Sequence, residues 1–281
     1  MINGKAIYTT KGAAMEYGRV GCNFYTGCPH DCDYCYLKRG APSKQLGGTE
    51  VKLKKCFKDK GDALEVFCKE IRKHLDEVKK TGIFFSFTTD PMIPETIDLT
   101  LSAINMCIYN DIPVKILTKD SSFIDYERFK RNYEAYSFGK YVSIGFTLTG
   151  RDDMEPNASC NAERIEAMRT LKQKGLNTFA SIEPVIDWDS SERVIRESID
   201  CCDHYKIGLR SGVKKGYYDT KETVARVTEL VDFITKAGKT VYLKNSVRQY
   251  LLVANMMMYL SQPNYDALMR KTLDMDGNLI A

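Results

Sequence analysis

β-branched, aromatic and other apolar residues bunch into short runs at positions 19–25, 83–88, 114–118, 141–148, 178–183 and 205–209, and each run reads as a strand. Between the runs, apolar positions recur at helical spacing over 62–80, 95–109, 124–136, 162–174, 191–201 and 221–237. Gly82 and Gly175 follow lysine-bearing last turns, where a left-handed residue and a positive charge both suit a helix carboxyl end. Regular strand-then-helix alternation implies right-handed crossovers, hence a parallel sheet with helices outside it. No repeat of fixed period and no long Pro, Gly or Ser linker divides the chain; the loosest segment is 39–48. A single α/β domain over residues 1–281 is therefore expected, since α/β barrels reach this length. The longest apolar stretch, 251–260, contains Asn255 and falls well short of the ~20 residues a membrane helix needs, so it predicts a buried helix segment.

Composition narrows the function classes. A hydrophobic fraction of 43% supports a large core. The 41 basic and 37 acidic residues are interspersed and leave a net charge of only +4, so the footprint of a strong nucleic-acid binder is missing. Ten cysteines, with no apolar run between Lys5 and Lys11 to serve as a secretory signal, predict a reducing, cytoplasmic setting. Three histidines and no Walker-type phosphate loop give little support to histidine acid–base catalysis or nucleotide hydrolysis.

The chemistry concentrates in the run Gly27-Cys28-Pro29-His30-Asp31-Cys32-Asp33-Tyr34-Cys35-Tyr36. Its three-then-two spacing packs three soft thiolate ligands into one loop, and thiolates are what iron–sulfur clusters use. A [4Fe–4S] cluster takes four ligands, yet the next cysteine, Cys56, is far along the chain, so one iron is expected to stay open. An open metal position suggests catalysis, whereas closed sites are structural. The competing reading is zinc, held by these cysteines with Cys22 or His30, although no second cysteine pair of the zinc-knuckle kind is present.

Further along lie Asn23 ahead of Gly27-Cys28, then Phe87-Thr88-Thr89-Asp90 and Leu117-Thr118-Lys119 at predicted strand ends, Glu155-Pro156 before Arg164, and Ile182, Pro184 and Val185. On physical grounds Thr88, Thr89 and Asp90 offer oxygen acceptors for an ammonium group or caps for the following helix, and Lys119 offers a point charge for a carboxylate. In this order the cysteine run and the shorter motifs resemble the spore photoproduct lyase-like (DNA repair photolyase-like) branch of the radical S-adenosylmethionine (SAM) superfamily, over roughly 17–209. The resemblance implies a partial (β/α)6 barrel with a core at about 17–245 and a helical extension over 246–281. It also implies a [4Fe–4S] cluster on Cys28, Cys32 and Cys35 whose open iron chelates SAM. Reductive cleavage would then give a 5′-deoxyadenosyl radical that abstracts hydrogen from a substrate, with a flavodoxin or ferredoxin as electron donor. By the same resemblance Tyr34 packs near the adenine, Thr88, Thr89 and Asp90 line the methionine-amino side, Lys119 holds the cofactor carboxylate, and Thr147 and Arg164 lie near its ribose or carboxylate. Taken alone, the spacing of Ile165, Met168 and Leu171 would put Arg164 on the solvated face of its helix.

One departure bears on the reaction. True photoproduct lyases carry a hydrogen-donating cysteine just before the Thr-(Ser/Thr)-Asp element, and Phe87 occupies that position here. Cys160 is an alternative hydrogen donor or a structural thiol, because free cysteine behaves mostly as a small hydrophobe. Glu183, Asp187, Lys206, Arg210 and Lys244, near strand ends, are candidate substrate contacts or ordinary turn residues. Three readings follow: a radical SAM enzyme, a non-catalytic iron–sulfur electron-transfer or regulatory protein, and a zinc-stabilised nucleic-acid module. The tail at 262–281 reads as a lid or a frayed end.

Overall fold

Short apolar runs form the sheet, and the turns at their carboxyl ends carry the polar motifs. The computed structural model describes residues 1–40, 43, 48–134, 138–275 and 277. Its chain divides into two compact units, Met1–Phe146 with Asp152–Asn177, and Thr147–Arg151 with Thr178–Ala281.

In the first unit, strands β1 (Ile7–Thr9), β2 (Val20–Cys22), β5 (Ile83–Phe85), β6 (Val114–Thr118) and β7 (Val142–Thr147) lie side by side in that order. β1 runs antiparallel to β2, and β2, β5, β6 and β7 are parallel. A separate antiparallel ribbon, β3 (Tyr25–Thr26) with β4 (Lys52–Leu53), leads directly into the cysteine loop. The helices are α1 (Lys60–Lys73), α2 (Leu75–Thr81), α3 (Ile97–Tyr109), α4 (Glu127–Tyr133), α5 (Phe138–Tyr141) and α6 (Asn161–Gln173). Phe24, Phe67 and Phe85 pack together, as do Phe123, Phe129 and Phe138.

The second unit holds β8 (Asn177–Val185), β9 (His204–Leu209) and β10 (Thr240–Leu243), parallel and in that order. Around them are α7 (Trp188–Ser198), α8 (Thr220–Lys236), α9 (Asn245–Met256) and α10 (Gln262–Arg270). Asp187 and Asp219 cap α7 and α8 by accepting the N–H groups of Ser190 and Glu222. Both units show the predicted α/β class, with a mostly parallel sheet and flanking helices.

Several predicted boundaries need correction. The helix expected over 62–80 breaks at His74; Phe67, Ile71 and Val78 keep a helical period across the break, so the pattern could not register it. The strand expected over 19–25 divides at Asn23, whose side-chain amide donates to the Tyr8 hydroxyl and whose carbonyl accepts from the Phe87 N–H, drawing the chain out of the sheet. β5 stops at Phe85 because Ser86 to Thr89 form a turn closed by the Ser86 hydroxyl on the Thr89 carbonyl. The helix expected over 124–136 begins as a 3-10 turn, Ser122–Asp125, and Tyr136 lies outside the described residues, as do parts of the 39–48 segment and the tail. The stretch 251–260 is not a buried helix: Leu251, Ala254 and Leu260 are buried, but Leu252, Val253 and Met256 to Tyr259 are exposed, Met258 at 90%. Among the described residues no helix is long and apolar enough to cross a membrane.

Candidate functional site

The cysteine loop starts where the β3–β4 ribbon ends. Gly27 sits at φ +80°, and a Cβ there would lie 2.0 Å from the Glu50 carbonyl oxygen, so only glycine allows this approach. The next amide, Cys28 N–H, donates to the Gly48 carbonyl at 2.9 Å. Cys32 is buried, Cys28 and Cys35 are half-buried, and all three are free thiols. Burial, with the charge of Asp90 behind it, pushes the Cys28 thiol up to about 12. Burial also raises Cys32, Lys119 opposing and Glu155 adding. For Cys28 and Cys32 burial therefore favours the protonated thiol, a preference that the charge of a bound metal reverses.

Two side chains inside the loop tie it to the rest of the unit. The His30 ring places Nε2 2.9 Å from Asp90 Oδ2 and Nδ1 3.0 Å from the Asn157 carbonyl oxygen. Both partners are acceptors only, so both ring nitrogens carry hydrogen and His30 is an imidazolium. Burial alone would lower its pKa, but the hydrogen bond and charge of Asp90 outweigh burial and raise it. Asp90 itself is buried with four donors on its carboxylate: His30, the Thr118 hydroxyl at 2.7 Å, and the N–H groups of Lys119 at 2.7 Å and Met92 at 2.9 Å. Burial alone would raise this carboxyl; His30 and the two amides hold it below its ordinary value. The Asn157 amide meanwhile donates to the Pro29 carbonyl at 3.0 Å.

The second tie is Tyr34, whose hydroxyl donates to Glu155. The other Glu155 oxygen accepts from Arg164 at 2.7 Å, both side chains fully shielded at 0% exposure, and Arg164 Nε donates to the Ser159 carbonyl at 2.7 Å. Arg164 is thus buried within α6, not on a solvated face. The Lys119 ammonium lies 5.6 Å from the centroid of the Tyr34 ring. Burial would lower its pKa, but Cys32 in its thiolate form, together with the Glu155 carboxylate, outweighs that and holds it above its ordinary value. A fixed cation thus faces the cysteine loop.

The expected Thr-Thr-Asp element divides by role. Thr88 donates its hydroxyl to the Tyr25 carbonyl, bracing the loop's entry, whereas Thr89 Oγ1 is buried with no hydrogen-bond partner among the described residues. Phe87 packs on Phe84 at 4.6 Å and on Tyr17, above Gly21, where a Cβ would come within 2.9 Å of its ring. Cys160 caps α6: its Sγ accepts from Glu163 N–H while the Glu163 carboxylate accepts from Cys160 N–H.

The remaining candidates belong to the second unit. Thr147 is buried at the end of β7. Glu183 pairs with Lys244 around Gly208, Lys206 lies 4.9 Å from the Tyr242 ring centroid, Asp187 pairs with Arg151 at 3.1 Å, and the Arg210 N–H donates to Tyr218. Sequence reasoning left Glu155 and Asn157 without roles and considered His30 only as a zinc ligand. An acid nine positions ahead of an arginine was the one available hint for the Glu155 and Arg164 pair.

Among the described residues, no three His, Cys, Asp or Glu side chains gather closely enough to hold one metal ion. Three soft ligands on one loop with a cation beside them fit an iron–sulfur cluster that keeps one iron open.

Comparison with known proteins bears on this arrangement. The Radical SAM superfamily matches residues 22–196, a span that contains the loop and both of its ties. The uncharacterized protein MJ0683 of Methanocaldococcus jannaschii is 24% identical over 259 residues, covering 86% of this chain and 92% of that protein. Among solved structures, spore photoproduct lyase complexed with dinucleoside spore photoproduct superposes with a TM-score of 0.60 at 15% identity, over 84% of this chain and 78% of that one. The likeness extends the observed α/β fold to the partial barrel that the sequence resemblance implied.

Proposed function

Because the chain belongs to the Radical SAM superfamily, we propose that it is an enzyme that binds a [4Fe–4S] cluster and SAM at the cysteine loop and abstracts hydrogen from a substrate. The observation that carries this reading is the loop that holds Cys28, Cys32 and Cys35 with the Lys119 cation facing it. With a cluster and SAM bound there, Cys28, Cys32 and Cys35 would hold the group that supplies one electron for reductive cleavage of SAM, the chemistry that starts hydrogen abstraction from a substrate.

The chain's own residues have separable tasks. Cys28, Cys32 and Cys35 hold three irons and leave the fourth to the cofactor. Lys119 holds the cofactor carboxylate as a point charge. Thr89 has an oxygen to offer the ammonium, while Thr88 and Asp90 shape that side of the pocket. Tyr34 presents its ring to the adenine side, and Arg164 acts through Glu155 behind it. The electron comes from a flavodoxin- or ferredoxin-type partner. Phe87 in place of the donor cysteine argues that the substrate is not a thymine photoproduct.

Anaerobic reconstitution followed by electron paramagnetic resonance of the dithionite-reduced protein tests this reading. A reduced-cluster signal that changes on adding SAM, and that is absent in Cys32→Ala, is expected. A cluster signal indifferent to SAM would favour the electron-transfer reading, and a colourless protein that takes up only zinc would overturn both.

A further inference from the structure

The hydrogen bonds around His30 connect the middle of the cysteine loop to two places distant in sequence. On one side Asp90 collects His30 together with Thr118 and the Lys119 amide at the end of β6, so one carboxylate joins the loop to that strand. On the other, the Asn157 carbonyl accepts from His30 while its side chain donates back to Pro29. His30 stands two residues from each of Cys28 and Cys32, and its ring and the Asp90 carboxylate are almost wholly shielded, at 4% exposure each. With four donors already on it, the Asp90 carboxylate has no free direction left for a fifth. Its work is internal to the protein.

We propose that His30 and Asp90 form a positioning strut that fixes where the cysteine loop holds its cluster relative to β6 and Lys119, with neither residue touching the cofactor. This rests on the cluster-binding reading above for its purpose, though not for its geometry. The strut ties the two sides of the site together: the Asp90 oxygen that accepts from His30 also accepts from the Lys119 amide, so the thiols on one side and the carboxylate-binding cation on the other are set by one group. A loop held by backbone contacts alone would let the cluster and the cation drift independently. An uncertainty of an ångström in that distance is enough to spoil an oriented reaction.

The test begins with the metal-free chain, so that it does not depend on the cluster. Hydrogen exchange is followed at two amides of the loop, Asp33 donating to the Met154 carbonyl and Cys35 to the Cys32 carbonyl, with β6 amides as an internal control. His30→Ala and Asp90→Asn should each speed exchange at Asp33 and Cys35 about ten- to a hundredfold, the loss expected for a charge-assisted hydrogen bond, and leave the β6 amides ahead of Thr118 unchanged. Combining the two should add little beyond either single change, because both remove the same tie. His30→Gln, which keeps one donor toward Asp90, should recover much of the protection. After reconstitution, His30→Ala should still take up iron but give a broadened reduced-cluster resonance and bind SAM more weakly by a similar factor. Unchanged loop exchange in His30→Ala overturns the strut, as does loss of β6 protection in step with the loop, which would make the pair a general stability element. A wild-type chain that takes up no cluster while its variants show the accelerated exchange would sink the functional reading and leave the strut standing.

Discussion

Gly27→Ala isolates the geometry that launches the cysteine loop. The substitution adds one methyl carbon at φ +80°, 2.0 Å from the Glu50 carbonyl oxygen and 2.8 Å from its carbon. An L-residue held in such a conformation costs about 1–3 kcal/mol. The contact is with backbone, so no side chain can swing aside, and relieving it adds an overpacking cost of about 1–3 kcal/mol. Moving the strand away would also stretch the bond from Cys28 N–H to the Gly48 carbonyl, worth about 1 kcal/mol. The sum, on the order of 3–7 kcal/mol, exceeds what a surface loop can absorb, so the loop should leave its seat while the sheet stays folded. Gly12→Ala is the matched control: it has a similar φ of +58° with nothing within 4 Å of the added carbon, so it carries only the conformational part. The assay is iron and sulfide per chain after anaerobic reconstitution, alongside urea unfolding. Gly27→Ala should lose most of its cluster and Gly12→Ala should keep it. Full iron loading and unchanged unfolding in Gly27→Ala would refute the reasoning.

Other changes probe the supporting network. Arg164→Met leaves the buried Glu155 carboxylate with only the Tyr34 hydroxyl and should cost about 3–5 kcal/mol in urea unfolding, whereas Arg164→Met with Glu155→Leu should recover most of it; equal losses would contradict a desolvated ion pair. Thr89→Val removes an orphaned buried hydroxyl at constant shape, so stability should hold or rise slightly while the SAM-induced spectral change weakens; a stability loss above about 1 kcal/mol would mean the hydroxyl has a partner inside the protein. Gly21→Ala pushes against the Phe87 ring at 2.9 Å and should destabilise by about 1–3 kcal/mol, read by thermal unfolding; a wild-type melting curve would show that Phe87 is free to move aside.

What the sequence disclosed and what it hid follow from range. The three cysteines were legible because their ligand chemistry is written within eight consecutive residues. Long parallel strands and helices such as β6, α6 and α8 were legible because burial imposes a period on the chain. The ties that hold the loop were not: His30 meets Asp90 60 residues away, and Tyr34 meets Glu155 121 residues away, with no local pattern to announce either contact. Arg164 misled because periodicity ranks a charged residue as solvated, and only its pairing with Glu155 permits burial. β1, β10 and the β3–β4 ribbon are two to four residues long, below the length at which alternation can be recognised. Asp90 shows the complementary limit. The resemblance draws attention to the residue, but the donors that its carboxylate collects come from separate parts of the chain and leave no local pattern in the sequence.

Joining the loop, its ties and Lys119 in one unit makes a specific chemical claim: electrons delivered to this site cleave SAM. The direct measurement is chromatographic quantification of 5′-deoxyadenosine after the anaerobically reconstituted protein is mixed with dithionite and SAM, in wild type and in Cys32→Ala. The account predicts 5′-deoxyadenosine from wild type alone, in proportion to its cluster content. A wild-type protein with a fully loaded cluster and no more product than Cys32→Ala would contradict it.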